Sequence, residues 1–381
     1  MDALERDYKS LLLANHEPPC LSLYQPTHRS YPEKQQDPIR FRNLVQELML
    51  SLHKKYTGRE TAPILRRFHE LAEDARFWNH GLGGLAVFAT PTLFKIYVLQ
   101  RPVRELAIVA DSFHTKPLVR VLQSADRYYV LGLNRQEASL FEGNRYALDR
   151  VEPAPGMPRT VFDVVGEKEG EPERKNRAYG PAGPGSTLHG TNVRQEETDA
   201  DTERFFRAVD DAVLENYSRP SGMPLLLAAL PEYHHLFRKV SRNPSLMAGA
   251  IDTYAGALSA SELRERAWQL VLPHYLERLN GIIERFGAAR ANGLGSADLA
   301  DIARAAAAGR TSTLLIEADR LIPGRFDSGT GAIEFASLDE PGVGDLLDDL
   351  GEHALKTGGE VVIVPTESMP TDTGIAAIYR F

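Results

Sequence analysis

The sequence has little that would suit secretion or a membrane. It contains a single cysteine, Cys20, so no disulfide can form within the chain. The first residues, MDALERDYKS, lack the basic and apolar regions of a signal peptide. No apolar run approaches the roughly 20 residues that cross a bilayer, and even Leu225 to Leu230 is stopped at once by Pro231. We therefore expect a protein of the reducing cytoplasm with no membrane partner.

A surplus of basic residues is also missing. The 44 lysines and arginines stand against 52 aspartates and glutamates, which gives a net charge of −8. This negative net charge disfavours a protein that binds bare nucleic acid through overall electrostatic attraction, although binding through a local basic patch remains an alternative. A hydrophobic share of 43% and a charged share of 25% are ordinary for globular proteins and exclude a collagen-like chain or a coiled rod. The length of 381 residues predicts two to three domains at roughly 150 residues each.

Apolar spacing predicts a mixed α/β domain over residues 1–126. Residues 4–12 and 41–52 carry apolar side chains at helical spacing, which indicates two amphipathic helices. Residues 20–24 form a short apolar run after two prolines, and residues 85–99 resemble a hairpin.

A second domain is predicted over residues 127–270. It opens with three apolar runs between residues 128 and 151, separated by Asn134 and by Gly143-Asn144, and this pattern indicates an antiparallel meander. The wholly apolar run at 225–230 is typical of a strand buried on both faces, and a helix follows it to Val240.

A long loop within this domain is predicted over residues 166–200. The stretch loses apolar periodicity and becomes charged, then rich in Gly, Pro, Ser and Thr. Thr198 and Asp201 stand at capping-box spacing, so we expect the next helix to begin there. A long unsupported segment in a compact domain is uncommon unless it reaches for a partner, which makes this loop the best functional candidate.

The last region, residues 271–381, predicts a small α/β/α domain. A long helix over 259–290 leads into it, and Pro273 is a place where this helix could kink. Helical and strand patterns then alternate to residue 379, interrupted by a polar insertion at 320–338.

Several motifs are weighed against simpler interpretations. The sequence GPAGPGST imitates a phosphate-binding loop, but Ser186 stands where that loop requires lysine. Ser186, His189 and Asp199 or Asp201 could form a hydrolytic triad, but no nucleophile elbow surrounds them.

Two further clusters are better explained by helix structure. Adjacent His234 and His235 point about 100° apart on a helix, so we expect neither a metal site nor a cofactor. Asp345, Asp348 and Asp349 stand near a predicted helix start, where their charges complement the helix dipole.

Basic residues in and beside the loop could contact phosphates: Arg174, Lys175, Arg177 and Arg194. Glutamates alternate with several of them, so the alternative is a solvated run of mixed charge.

The order of these elements resembles the archaeal and eukaryotic class-one peptide-chain release factors and their relative Pelota, in particular the bacterial branch of that family. The resemblance is carried by ADRYYVLGLNRQEASLFEG from Ala125 to Gly143, PLLLAALPEYHHLF from Pro224 to Phe237, AAAAGRTSTLLIE from Ala305 to Glu317, and the terminal stretches GGEVVIVP and GIAAIYRF. It implies a ribonuclease-H-like middle domain and a C-terminal domain like a ribosomal kink-turn-binding protein. It also implies a body that enters the ribosomal A site as a tRNA mimic and meets an elongation-factor-type GTPase.

The loop departs from the hydrolytic members of this family. Those members carry Gly-Gly-Gln followed by Ser, and the glutamine helps to place water at the peptidyl-tRNA ester. Here Gly183 keeps the first glycine, Pro184 replaces the second, Gly185 stands in place of the glutamine, and Ser186 is retained. Glycine has no side chain to orient water and proline lacks a backbone donor, so hydrolysis should be weak or absent. The Asn-Ile-Lys-Ser stop-codon motif is also missing.

The resemblance therefore implies a ribosome-binding factor acting in hibernation or rescue without peptidyl-tRNA hydrolysis. The loop residues expected at the peptidyl-transferase centre are Gly183, Pro184, Gly185, Ser186, Thr187, Leu188 and His189. Arg174, Lys175, Arg177 and Arg194 would then contact rRNA. Two alternatives remain: a peptidyl-tRNA hydrolase that uses Ser186, His189 or Gln195, and an RNA-binding or adaptor protein that acts without the ribosome.

Overall fold

The computed structural model describes residues 2–122, 126–166 and 189–381, and for residues 2, 3, 5 and 189–198 it describes the backbone alone. The described chain is a mixed α/β multidomain protein, as the sequence predicts. It forms two compact units. The composite unit joins Met1–Ala125 to Glu277–Phe381, and the middle unit is Asp126–Leu276. The finer division into domains over 1–126, 127–270 and 271–381 stays a prediction.

The N-terminal segment of the composite unit is built around a four-stranded antiparallel sheet in the order β3-β2-β1-β4. Its elements are α1 (Asp2–Asp7, continued by a π-turn over Tyr8–Leu12), β1 (Cys20–Pro26), α2 (Asp37–Leu52), α3 (Gly58–Glu73), α4 (Ala75–Trp78), β2 (Gly84–Ala89), β3 (Phe94–Leu99), β4 (Leu106–Ala110) and α5 (Lys116–Leu122). The predicted helices, first strand and hairpin are confirmed.

The two faces of this sheet belong to different cores, because side chains alternate along a strand. Leu21 and Leu23 of β1 face α2 and α3. Tyr24 of β1 and Phe88 of β2 face the opposite way, into a core completed by the C-terminal segment. The two central strands, β1 and β2, are therefore buried on both faces, which explains why β2 is apolar throughout.

The middle unit contains a five-stranded mixed sheet in the order β7-β6-β5-β8-β9. Its elements are β5 (Tyr128–Leu133), β6 (Ala138–Gly143), β7 (Leu148–Arg150), α6 (Phe162–Val165), α7 (His189–Val213), a π-turn (Leu214–Ser218), α8 (Arg219–Ser221), β8 (Leu225–Ala228), α9 (Pro231–Val240) and β9 (Leu246–Ile251). Helix α10 (Ala260–Ala291) begins in the middle unit and ends in the composite unit, whose second segment starts at Glu277. The predicted meander is β5 to β7, and the predicted buried strand is β8, which pairs in parallel with β5 and β9.

The prediction of a loop over the whole of 166–200 is wrong at its C-terminal end, because α7 begins at His189. Thr198 and Asp201 consequently lie inside the helix and do not cap it. The sequence QEETDA has no apolar periodicity but consists largely of residues that tolerate or favour a helix. Polarity alone therefore misled the prediction. Residues 167–188 lie outside the described chain.

The C-terminal segment of the composite unit contributes a second four-stranded sheet, in the order β10-β16-β11-β15, and a three-stranded sheet, in the order β13-β12-β14. Its elements are β10 (Gly295–Ser296), α11 (Leu299–Ala307), β11 (Thr311–Glu317), β12 (Pro323–Phe326), β13 (Ile333–Phe335), β14 (Gly344–Asp345), α12 (Leu346–Lys356), β15 (Glu360–Val364) and β16 (Ile375–Tyr379). The expected alternation is confirmed, and the insertion at 320–338 contains the hairpin β12–β13.

Candidate functional sites

Most of the predicted loop site lies outside the described residues. Gly183, Pro184, Gly185, Ser186, Thr187 and Leu188 lie there, as do Arg174, Lys175 and Arg177. His189 is the first residue of α7, and Arg194 lies in its second turn, but their side chains are outside the description. On the C-terminal side of these predicted residues, the described chain resumes with helix α7.

Helix α7 itself is firmly anchored. Phe205, Phe206, Val209 and Val213 of α7 are completely buried against the sheet of the middle unit. The carboxylate of Asp210 accepts hydrogen bonds from the Ser241 hydroxyl at 2.6 Å and from the Arg242 backbone N–H at 2.7 Å. Burial raises the pKa of Asp210 above its ordinary value, against these hydrogen bonds. The chain that follows the predicted loop is thus fixed to the core.

The first of the two adjacent histidines on α9, His234, contacts the surrounding fold. His234 places Nε2 2.8 Å from the Ala229 carbonyl and Nδ1 3.5 Å from Asp252. Among the described residues, no three His, Cys, Asp or Glu side chains are placed to share a metal ion. No helix in that part of the chain is both long and apolar enough to cross a bilayer.

A buried ionic cluster in the composite unit was not predicted. Asp345 caps α12 by accepting from the Leu347 N–H, as expected for its position. It also accepts from the Ile322 N–H at 2.9 Å and pairs with the ammonium of Lys116. The side chains of Lys116 and Asp345 are 3% and 0% exposed. Helix capping therefore explains only part of what this aspartate does.

Asp348 joins the same cluster from the next turn of α12. Its carboxylate accepts hydrogen bonds from the backbone N–H groups of Thr115, at 2.9 Å, and Lys116. His114 places Nδ1 3.6 Å from Asp348, and neither ring nitrogen of this buried histidine has a hydrogen-bond partner. Burial lowers the pKa of His114 to about 3, and burial raises the pKa of Asp348 well above its ordinary value, with Asp349 and Glu352 adding to the rise.

Asp349 borders a cavity of about 640 Å³ between the two chain segments of the composite unit. Its carboxylate accepts one long hydrogen bond, 3.4 Å, from the Ser112 hydroxyl. Burial, and then the charges of Asp345 and Glu352, raise the pKa of Asp349 to about 8. The other cavity walls come from β12, β13, the residues around β14, the N-terminal residues Asn15 and 110–112, and further residues of α12, among them His353 and Lys356. We name residues 111–116 together with residues 345–352 the acidic junction.

The acidic junction could not be read from local sequence. Its two halves lie more than two hundred residues apart, and only the folded chain brings them together. The local signal that exists is the unusual density of aspartates in the first turns of α12. These are the residues that sequence analysis attributes to the helix dipole alone.

Comparison with known proteins gives a family match for the middle of the chain. Residues 127–310 match the bacterial archaeo-eukaryotic release factor family 3, so this part of the chain is similar to the bacterial branch of the archaeo-eukaryotic release factors. The matched residues of this release-factor relative run from the start of β5 to the turn after α11, so they include the whole middle unit except its first residue.

Solved structures give more distant similarities. An archaeal translation termination factor, aRF1, is 17% identical, with 100% of this chain and 98% of that chain covered and a TM-score of 0.29. Dom34 from S. cerevisiae, a translation termination-like factor, is 12% identical, with coverage of 76% and 74% and a TM-score of 0.41. A chain from the structure of ribosome-bound archaeal Pelota and ABCE1 is 12% identical, with coverage of 100% and 94% and a TM-score of 0.40. No curated protein matches this release-factor relative significantly.

Proposed function

We propose that this protein binds the ribosomal A site as a tRNA mimic, in the cytoplasm, and acts in ribosome hibernation or rescue without hydrolysing peptidyl-tRNA. The observation that carries the proposal is the sequence Gly183-Pro184-Gly185-Ser186 in a chain that is similar to the release factor family. Similarity to the family is the reason to expect ribosome binding. The absence of the glutamine that hydrolytic members use is the reason to expect no hydrolysis.

The described structure supports this proposal through the anchor of the loop. Release-factor chemistry needs a segment that reaches a distant site from a rigid base. Helix α7 supplies that base, because Phe205, Phe206 and Asp210 fix it to the sheet a few turns after the segment ends. The described helix begins at His189, only three residues after Ser186 of the motif.

The basic residues would supply the affinity. Arg174, Lys175, Arg177 and Arg194 flank the motif, and we expect them to contact rRNA phosphates. Such contacts release counterions, so binding should weaken steeply with salt. The net charge of −8 does not prevent this, because a factor of this size needs positive charge only where it touches RNA. An elongation-factor-type GTPase is the second partner that we expect, at the C-terminal region.

Stalled 70S ribosomes that carry labelled peptidyl-tRNA test both halves of the proposal. We expect stoichiometric protein to cosediment with them and to release no peptide above background. A variant with Arg174, Lys175, Arg177 and Arg194 changed to Gln should bind more weakly and with a smaller salt slope. The matched control changes Arg159, Arg204, Arg207 and Arg219, which are exposed arginines of the same unit, to Gln.

Two results would contradict the proposal. Peptide release that Ser186→Ala, His189→Ala or Gln195→Ala abolishes would establish the hydrolase alternative. Absence of cosedimentation at low salt would establish a role away from the ribosome.

A further inference from the structure

A cavity of about 430 Å³ lies on the N-terminal segment of the composite unit, away from the acidic junction. One wall comes from the start of α2 and the turn before it, and the other comes from the end of α3 and from α4. Its apolar lining consists of Pro38, Ala72, Ala75 and Trp78. Tyr31 also lines this cavity, which we name the tyrosine cleft.

The ring of Tyr31 is in solvent although hydrogen bonds fix the backbone that carries it. Tyr31 is 68% exposed. The segment around it is closed by His28, which donates its backbone N–H to the carboxylate of Asp37 at 2.8 Å and places Nδ1 2.8 Å from the same carboxylate. Within the segment, the backbone N–H of Lys34 donates to the Ser30 carbonyl at 3.1 Å. A ring held in this way can stack on a flat ligand without first being ordered, which favours binding.

Two cations of the tyrosine cleft have no carboxylate to balance them. Within the part of the chain that the structure describes, neither Lys34 nor Arg42 forms an ion pair with an aspartate or glutamate. The Lys34 ammonium donates to the Asn79 carbonyl at 2.7 Å, which joins the two walls and leaves the positive charge unbalanced. By contrast, the nearby Arg40 pairs with Asp37 at 3.1 Å. The cleft therefore offers its positive charge to an anion.

The remaining polar groups of the cleft call for more than a simple anion. Glu73 brings a carboxylate, and Gln35 brings an amide that both donates and accepts. A matching ligand therefore has an anionic part, hydrogen-bond donors and a flat face. A nucleotide combines these features in its phosphate, its base edge and its base. The cavity volume lies within the range of roughly 300–1,000 Å³ that is usual for small-ligand sites.

We propose that the tyrosine cleft binds one unpaired nucleotide, with the base stacked on Tyr31 and the phosphate held by Lys34 and Arg42. An unpaired base exposes the face and the edge that such a site contacts, whereas a duplex hides them. A protein partner is disfavoured, because the centre of a protein interface is depleted of charged residues. This inference goes beyond the proposed function: it involves neither residues 183–189 nor a ribosome, so its failure would leave that proposal standing.

Binding of RNA by the isolated full-length protein tests the cleft and distinguishes two sources of the nucleotide. The probes are a labelled adenosine hexaribonucleotide, adenosine monophosphate and a blunt RNA duplex. We expect the single strand to bind roughly tenfold more tightly than the duplex, because only its bases can stack. Displacement of the hexamer by the monophosphate would support a free nucleotide as the ligand. Hexamer binding that the monophosphate leaves unchanged would support a nucleotide within a strand.

Two variants separate stacking from charge. Tyr31→Ala should weaken hexamer binding roughly tenfold and leave its salt dependence unchanged, whereas Tyr31→Phe should restore binding. Arg42→Gln should lower the slope of log affinity against log salt by about 0.7, the value for one phosphate contact on a single strand. The matched controls are Phe335→Ala, at a ring that is 66% exposed, and Arg59→Gln, at the opposite end of α3. Both controls should bind like the wild type.

Trp78 reports occupancy of the cleft directly. The chain has two tryptophans, so Trp268→Phe leaves Trp78 as the single indole. Because Trp78 lines the cleft, its fluorescence should change over the same range of RNA concentration as binding. Absence of binding by both the hexamer and the monophosphate would overturn the proposal. So would equal hexamer affinity in the wild type and Tyr31→Ala, or unchanged Trp78 fluorescence at saturating RNA, because the RNA would then bind elsewhere.

Discussion

The Oδ1 atom of Asp348 lies 2.9 Å from the backbone nitrogen of Thr115, a residue that precedes it by 233 positions. This hydrogen bond joins the first helix turns of α12 to the loop before α5. Around it, buried groups of both chain segments meet, so the composite unit is held together by a polar contact as well as by a shared core. Polar contacts of this kind specify one docking geometry, because each buried group must find its partner.

The ion pair between Lys116 and Asp345 should be essential to the composite unit. We expect Lys116→Met to destabilise it by about 3–5 kcal/mol, because the buried Asp345 carboxylate would lose the ammonium group that it pairs with. The measurement is chemical denaturation followed by a probe within the composite unit. Lys55→Met is the control: Lys55 lies 3.7 Å from Asp111, the two side chains are 48% and 60% exposed, and its loss should cost no more than about 1 kcal/mol. Equal effects of the two substitutions would contradict this ranking.

Substitution by alanine should change the stability of the protein in opposite directions at two glycines, Gly132 and Gly281. A Cβ on Gly132 in β5 would lie 2.6 Å from both Ala255 Cβ and Ser139 Oγ, so Gly132→Ala should destabilise the middle unit by about 1–3 kcal/mol. A Cβ on Gly281 in α10 meets no atom within 4 Å, so Gly281→Ala should stabilise the helix by about 0.5–1 kcal/mol. Thermal denaturation of the two variants beside the wild type measures the signs. A stabilising Gly132→Ala would show that the sheet relaxes around the new methyl group.

The thiol of Cys20 should be unreactive in the native protein and become reactive when the composite unit unfolds. It is completely buried in β1, and burial raises its pKa to about 12 from an ordinary value of 9.0. The thiolate fraction at pH 8 is therefore roughly a thousandfold below that of an exposed cysteine, and the thiolate is the reactive form. We expect a disulfide reagent to label no thiol in the native protein and one per chain in denaturant. Rapid native labelling would contradict the packing of β1.

The sequence predicts best where the side-chain period matches the burial of an element. The meander of β5 to β7 follows from alternation and turn residues, and the apolar run of β8 follows from burial between β5 and β9. Helix α3 lies outside the predicted elements, although Thr57 and Glu60 form a capping box at its start. The beginning of α7 is missed because helix propensity without an apolar stripe gives no periodic signal.

The acidic junction shows a different limit of sequence reasoning. Asp348 has an adequate local explanation as a charge near a helix start, and that explanation is incomplete. Its contact with Thr115 depends on how two distant segments dock, which neither propensity nor periodicity encodes. Both the buried charges and their displaced pKa values arise from this long-range contact. The family resemblance, by contrast, depends on ordered stretches along the chain, and the match over residues 127–310 confirms it.

The composite unit consists of Met1–Ala125 and Glu277–Phe381, and this division sets the order in which parts of the protein can fold during synthesis. As the nascent chain leaves the exit tunnel, the first sheet can pack against α2 and α3 on one side, while the core around Tyr24 and Phe88 on the other side still lacks the C-terminal residues that complete it. The middle unit is contiguous and can complete itself next. The second core of the N-terminal sheet is completed only when the final hundred or so residues have been synthesised. The part of the protein that is made first is therefore the last to complete its packing.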